Sequence, residues 1–160
     1  MASHHTFTRT AKQSRLQNMF KTRSFIGARM IDSSHLKEDL CRARYTSLRT
    51  YRKSGDCVDT AVWSAPGDAG ALYVFSAGNA GKVKRLRHSS RSQLAICDVY
   101  GRVLGPWIDT QAELIFDDES IAHALRSLRN KYGWQMVLAD LGARLTGKMA
   151  KRAYIRITFT

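Results

Sequence analysis

The chain has 160 residues, 44% of them apolar, with 26 Lys/Arg against 13 Asp/Glu for a formal charge of +13. This is the size of one domain, and two prolines and eleven glycines are too few for a linker or low-complexity chain. No run approaches the roughly 18–20 apolar residues of a membrane span, and Cys41, Cys57 and Cys97 form no CxxC pair, which argues against a disulfide framework or a zinc site.

The first 35 residues are basic, acid-poor and without an apolar h-region, so a basic arm is expected there rather than a secretory signal. Strand character begins near Ala43, where Tyr45, Ser47, Arg49 and Tyr51 alternate with Thr46, Leu48 and Thr50. Lys53-Ser54-Gly55-Asp56 reads as a hairpin turn. A second strand is expected over Cys57–Ala65, a turn at Pro66–Gly70 and a third strand at Ala71–Ser76, together an antiparallel meander. The glycine-rich break 77–81 precedes a short basic helix, Lys82–His88. Strands follow at Gln93–Val99 and Trp107–Phe116, the second with Ile108, Thr110, Ala112, Leu114 and Phe116 on one face. Asp117-Asp118-Glu119-Ser120 supplies acids and a capping hydroxyl for a helix from Ser120 to Tyr132. Gly133 interrupts before a helix over Trp134–Leu145, and Ala153–Phe159 alternates as a last strand. The order β-β-β, short helix, β-β, helix pair, β predicts an antiparallel barrel with added helices, in the α+β class.

The charge is concentrated. The stretch 81–91 carries Lys82, Lys84, Arg85, Arg87 and Arg91 and no acid. Such an excess draws anions: nucleic acid, acidic lipid or a phosphorylated ligand. Gly78-Asn79-Ala80-Gly81-Lys82-Val83 is not a P-loop, because the spacing is short and Val83 replaces the magnesium-binding hydroxyl. It is either an anion cradle, with backbone N–H groups and Lys82 facing a phosphate, or a solvated basic helix over a plain connection. No histidine shows metal-ligand spacing and no serine sits in a G-x-S-x-G elbow. Asp117, Asp118 and Glu119 are consecutive and cannot face one another as an acid/base pair. No RNP-like aromatic run or zinc-finger spacing supports nucleic-acid recognition.

In order, Tyr45–Gly55, Thr60-Ala61-Val62-Trp63, Gly81–Arg87, Ala95–Arg102 and Gly105-Pro106-Trp107 resemble the pyridoxamine-phosphate-oxidase-like split β-barrel family. The nearest group is its oxidoreductases that use the deazaflavin coenzyme F420. The resemblance covers residues 36–160, which it implies form the cofactor-binding domain, and leaves residues 1–35 as an arm that is flexible or embraces a second subunit. It implies a homodimer with about six strands and a phosphate held by Thr60, Ser76, Gly81 and Lys82, with Val83, Lys84 and Arg87 nearby. Ala61, Val62 and Trp63 then lie beside the ring system, and Trp107 reaches the cofactor of the second chain. The family's cofactors include FMN, coenzyme F420 and haem. The ending AYIRITFT lacks the substrate-holding residues of true pyridoxamine phosphate oxidases, so vitamin B6 oxidation is not expected. Ser64 stands where related chains carry a larger apolar residue, which implies a reshaped ring pocket.

The expectation is a cytoplasmic oxidoreductase that uses FMN or coenzyme F420 to move hydride to or from a small molecule, without a membrane role. The alternatives are an FMN- or haem-binding split barrel without this activity, and a basic nucleic-acid-binding protein.

Overall fold

The computed structural model describes residues 33–138 and 152–160, and the fold below belongs to the unit Lys37–Thr160. Nearly all of the expected basic arm, and residues 139–145 of the last expected helix, lie outside the described residues. The elements are helix α1 (Ser33–Arg42), strands β1 (Thr46–Tyr51), β2 (Cys57–Val62), β3 (Ser64–Pro66) and β4 (Leu72–Ala77), and helix α2 (Gly81–Leu86). Strands β5 (Arg91–Ile96) and β6 (Ile108–Ile115), helix α3 (Asp118–Tyr132) and strand β7 (Arg152–Phe159) follow.

All pairings are antiparallel, and the seven strands form one sheet in the order β2-β1-β5-β6-β7-β4-β3. The register runs Leu48 opposite Thr60 and Leu94, Ser92 opposite Thr110, Ala112 opposite Ile157, Ile155 opposite Val74, and Tyr73 opposite Ala65. This order corrects two expectations. The segment Cys57–Ala65 is not one strand, and the first three strands are not a meander. Strand β2 pairs with β1 at one edge of the sheet, and β3 pairs with β4 at the other. Only Trp63 separates these two edge strands along the chain. One residue spans about 3.8 Å between neighbouring Cα atoms, so the sheet has to curl until its edges meet at Trp63. The result is the expected α+β half-barrel, with seven strands instead of six.

Two apolar cores serve the two faces of the curled sheet. Leu48, Leu72, Val74, Leu94, Ala112, Ile155 and Ile157 fill the inside. Ala65, Tyr73 and Tyr154 pack outside against Ala124, Leu128 and Tyr132 of α3, together with Met136. Strand β4 therefore alternates between cores, Leu72 and Val74 inward and Tyr73 outward, and its almost unbroken apolar run has two covered faces to fill. Helix α1 docks through Leu40, which is fully buried. Its polar sequence gave no warning of a helix. The cap of α3 is Asp117, whose carboxylate accepts the Ser120 N–H at 2.8 Å; the expected capping hydroxyl of Ser120 is three residues past the acid that caps. Phe116, expected on the buried face of β6, is 80% exposed because the strand ends at Ile115.

Candidate functional site

The corner at Trp63 opens a cleft of about 360 Å³, lined by Tyr45, Ala61, Val62, Trp63, Phe75, Lys82 and Val99. They come from five separate stretches. Tyr45 precedes β1, Ala61 and Val62 end β2, Phe75 is on β4, Lys82 begins α2, and Val99 comes from the loop after β5. The Trp63 indole stacks on the Tyr132 ring with centroids 4.7 Å apart and planes 11° apart, and meets Phe75 edge-on at 6.1 Å. The wall is thus aromatic, and its orientation is fixed by ring packing. Val99 is carried by a tight turn in which Asp98 accepts the N–H groups of Tyr100 and Arg102, each at 2.9 Å, and Gly101 takes the left-handed conformation (φ 85°).

The polar end of the cleft is Lys82. Its Nζ donates to the buried Ser76 hydroxyl at 3.2 Å. Partial burial, and then the nearby Arg85 guanidinium, push its pKa below that of an ordinary lysine. Arg85 donates from Nε to Thr50 Oγ1 at 2.8 Å, and burial and Arg52 lower its pKa in turn. Among the described residues no carboxylate pairs with Lys82 or Arg85. Cations gathered without a counter-ion bind an anion with little competition from the protein itself. Helix α2 has only six residues and no side-chain cap, so the lysine charge rather than the helix dipole carries the attraction.

The residues expected from the sequence separate into three groups. Ala61, Val62, Trp63 and Lys82 line the cleft, Ser76 holds Lys82, and Gly81 stands beside it at the helix start. Thr60 is one residue away on β2, half-buried and off the lining; Lys84 on α2 and Arg87 just past its end are exposed, also off it; Val83 is buried in the interior. Trp107 is elsewhere, beneath the Arg49 guanidinium at 3.8 Å, and Arg49 is also bound to Asp59 at 2.7 and 2.9 Å. Ser64 is next to Trp63 but off the lining: it is buried and accepts from Thr46 Oγ1 at 3.1 Å. Sequence reasoning missed Tyr45, Phe75 and Val99 as cleft residues. Phase along the strand places Tyr45 and Phe75 on a face, but not which face becomes a cleft. Val99 arrives by a loop that folds back, for which no local signal exists.

The arrangement suits a ligand with a large flat ring and a phosphate. Its volume lies within the range of about 300–1,000 Å³ typical of small-molecule sites, with apolar walls and few polar groups. Among the described residues no group of His, Cys, Asp and Glu is placed to hold a metal ion, and no helix is long and apolar enough to cross a membrane.

Neither a protein-family model nor a curated protein matches the sequence. The fold does have counterparts. It is similar to a conserved hypothetical protein of Mycobacterium tuberculosis, with a TM-score of 0.59, 20% identity and 81% of each chain covered. It is similar to a FAD-binding protein of Mesorhizobium loti, with a TM-score of 0.55, 19% identity, and 81% of this chain and 88% of that one covered. The haem-storage protein HutZ of Vibrio cholerae aligns with a TM-score of 0.58 at 9% identity, over 81% of this chain and 88% of the other. At such identities the likeness shows a shared fold, the split barrel, and the chain has that architecture.

Proposed function

We propose that the cleft binds a flavin-type cofactor, FMN or coenzyme F420, and that the protein is an oxidoreductase acting on a small molecule. The observation that carries this reading is the pairing, in one cleft, of an aromatic wall around Trp63 with the Lys82 ammonium, which no carboxylate among the described residues neutralises. The ring would lie against Ala61, Val62 and Trp63, with its phosphate at Lys82 and Ser76. When bound, the cofactor supplies hydride transfer; the chain contributes position, charge and shelter from water. Tyr45 and Lys82 are the titratable side chains of the lining, which accords with chemistry that resides in the cofactor. Haem has less support, since among the described residues no His, Cys or Met, the common side-chain ligands of haem iron, lines the cleft.

A second copy of the chain would close the open side of the cleft. The support is the loop that carries Val99: Val99 is 56% exposed, Tyr100 89% and Leu104 65%, an apolar surface beside the cleft that water covers poorly. Tyr100→Lys with Leu104→Lys should leave a folded monomer, read by sedimentation or light scattering; a wild-type protein that is itself monomeric overturns the dimer.

The cofactor test is the absorbance spectrum of the purified protein, followed by titration with FMN, coenzyme F420 and haem. Micromolar or tighter binding of FMN or F420 supports the reading, and binding of none of the three overturns it. Lys82→Ala should weaken FMN about 10- to 100-fold, the range of a charge-assisted hydrogen bond, while riboflavin, which lacks the phosphate, is bound as before. Binding of nucleic acid that collapses with salt, without any cofactor effect, would favour the basic binding-protein alternative.

A further inference from the structure

The last turn of α3 reaches across the fold to a single place, the peptide that follows Trp63. Lys131 Nζ donates to three main-chain carbonyls: Cys41 and Ala43 at 2.8 Å and Ser64 at 2.7 Å. An ammonium has three N–H donors, so all are used on backbone. Next to it, Tyr132 Oη accepts the Ser64 N–H at 3.0 Å and shares its own hydrogen between the carbonyls of Arg44 (2.9 Å) and Ser64 (3.0 Å). The Ser64 N–H belongs to the peptide plane that begins at Trp63, so fixing it fixes the exit direction of Trp63. The Tyr132 ring then stacks on the Trp63 indole. One tyrosine thus holds Trp63 at its backbone and at its ring, and one lysine anchors the end of α1 and the start of β3 around it.

We infer that Lys131 and Tyr132 are positioning residues that set the pose of the Trp63 ring at the cleft wall, and so govern affinity for the ring of the ligand rather than for its phosphate. The ligand half of this inference rests on the flavin reading above. A purely local packing role would not need three carbonyl bonds converging beside the residue that lines the cleft. The corner between β2 and β3 has no ladder partner across it, so its direction is free unless side chains hold it.

The test uses the full chain as wild type, Tyr132→Phe, Lys131→Met and Lys82→Ala, with Trp63→Phe to assign the near-ultraviolet circular dichroism of the stacked pair. FMN and riboflavin are the probes. Tyr132→Phe and Lys131→Met should each lose about tenfold in affinity for both probes, with the FMN-to-riboflavin ratio of the wild type, and should alter the Trp63 band. Lys82→Ala should change that ratio and leave the band alone. Folded Tyr132→Phe and Lys131→Met proteins with wild-type band and affinities overturn the inference, as does a loss confined to FMN. If wild type binds neither probe, the cofactor titration above decides the flavin reading and the Trp63 band alone decides the positioning role: unchanged in both variants, it overturns that role. Should Lys131→Met not fold, Tyr132→Phe, which removes one oxygen, decides.

Discussion

Lys82 and Tyr132 are the residues whose titration bears on the cleft. Burial and Arg85 already lower the Lys82 pKa, and a phosphate needs the protonated form, so FMN affinity should decline with rising pH before an ordinary lysine would titrate. A riboflavin titration over the same pH range should stay flat. Tyr132 is shifted the other way. Burial raises its phenol from 10.0 to about 12, opposed by its hydrogen bond to Ser64. A pKa raised in the folded state gives stability that is complete below the unfolded value and is lost as pH rises through the folded one. Wild type should therefore lose stability more steeply between pH 10 and 12 than Tyr132→Phe, a comparison that denaturant melts at each pH provide. At this scale the sequence was partly legible. Trp63 is legible through its neighbours' resemblance to a family's pattern, and Lys82 also through the small residues that precede it in a basic segment. Lys131 was not, since its partners lie 67 to 90 residues away and a lone lysine in a basic segment looks like every other one.

The elements show why patterns succeed on strands and fail at corners. Period-two alternation marked β1, β6 and β7 closely, because their side chains are sorted between an inside and an outside. It ran β2 and β3 together, because the chain stays extended through Trp63 while its partner changes from β1 to β4. Helix α1 has one fully buried anchor, Leu40, too few apolar positions to make a periodic signal. Leu40→Ala should cost about 2–5 kcal/mol, measurable as a shift in the denaturation midpoint. The turn between β3 and β4 has less freedom. A Cβ on Gly67 would meet the Tyr73 ring at 2.5 Å, and Tyr73 is buried against α3. Gly67→Ala should lower the melting temperature by several degrees, whereas Ala69→Gly, at a residue with φ 51°, should raise it or leave it unchanged. Asp117→Ala, which strips the cap of α3, should cost a few degrees as well.

At the scale of the whole molecule, the fold class and strand sequence were legible and the closure was not. Antiparallel hairpins and late helices implied a barrel, but only pairing shows that β2 and β3 are opposite edges joined by one residue. The +13 charge is similarly resolved in part. Arg85 stands close to both Lys82 and Arg52, and of the three only Lys82 lines the cleft, while Arg49, Arg102 and Arg42 are engaged with Asp59, Asp98 and Glu38. Strand β7, finally, lies between β6 and β4 and pairs with both along almost its full length. Without it, β4 and β6 would each present an open row of N–H and C=O groups, the edge that recruits other chains. Its pairing with β4 closes a loop of some 80 residues, and a contact of that sequence separation forms slowly. A chain cut before Arg152 should accumulate in inclusion bodies rather than fold as a smaller barrel, and a separate peptide of residues 152–160 supplied during refolding should recover soluble material.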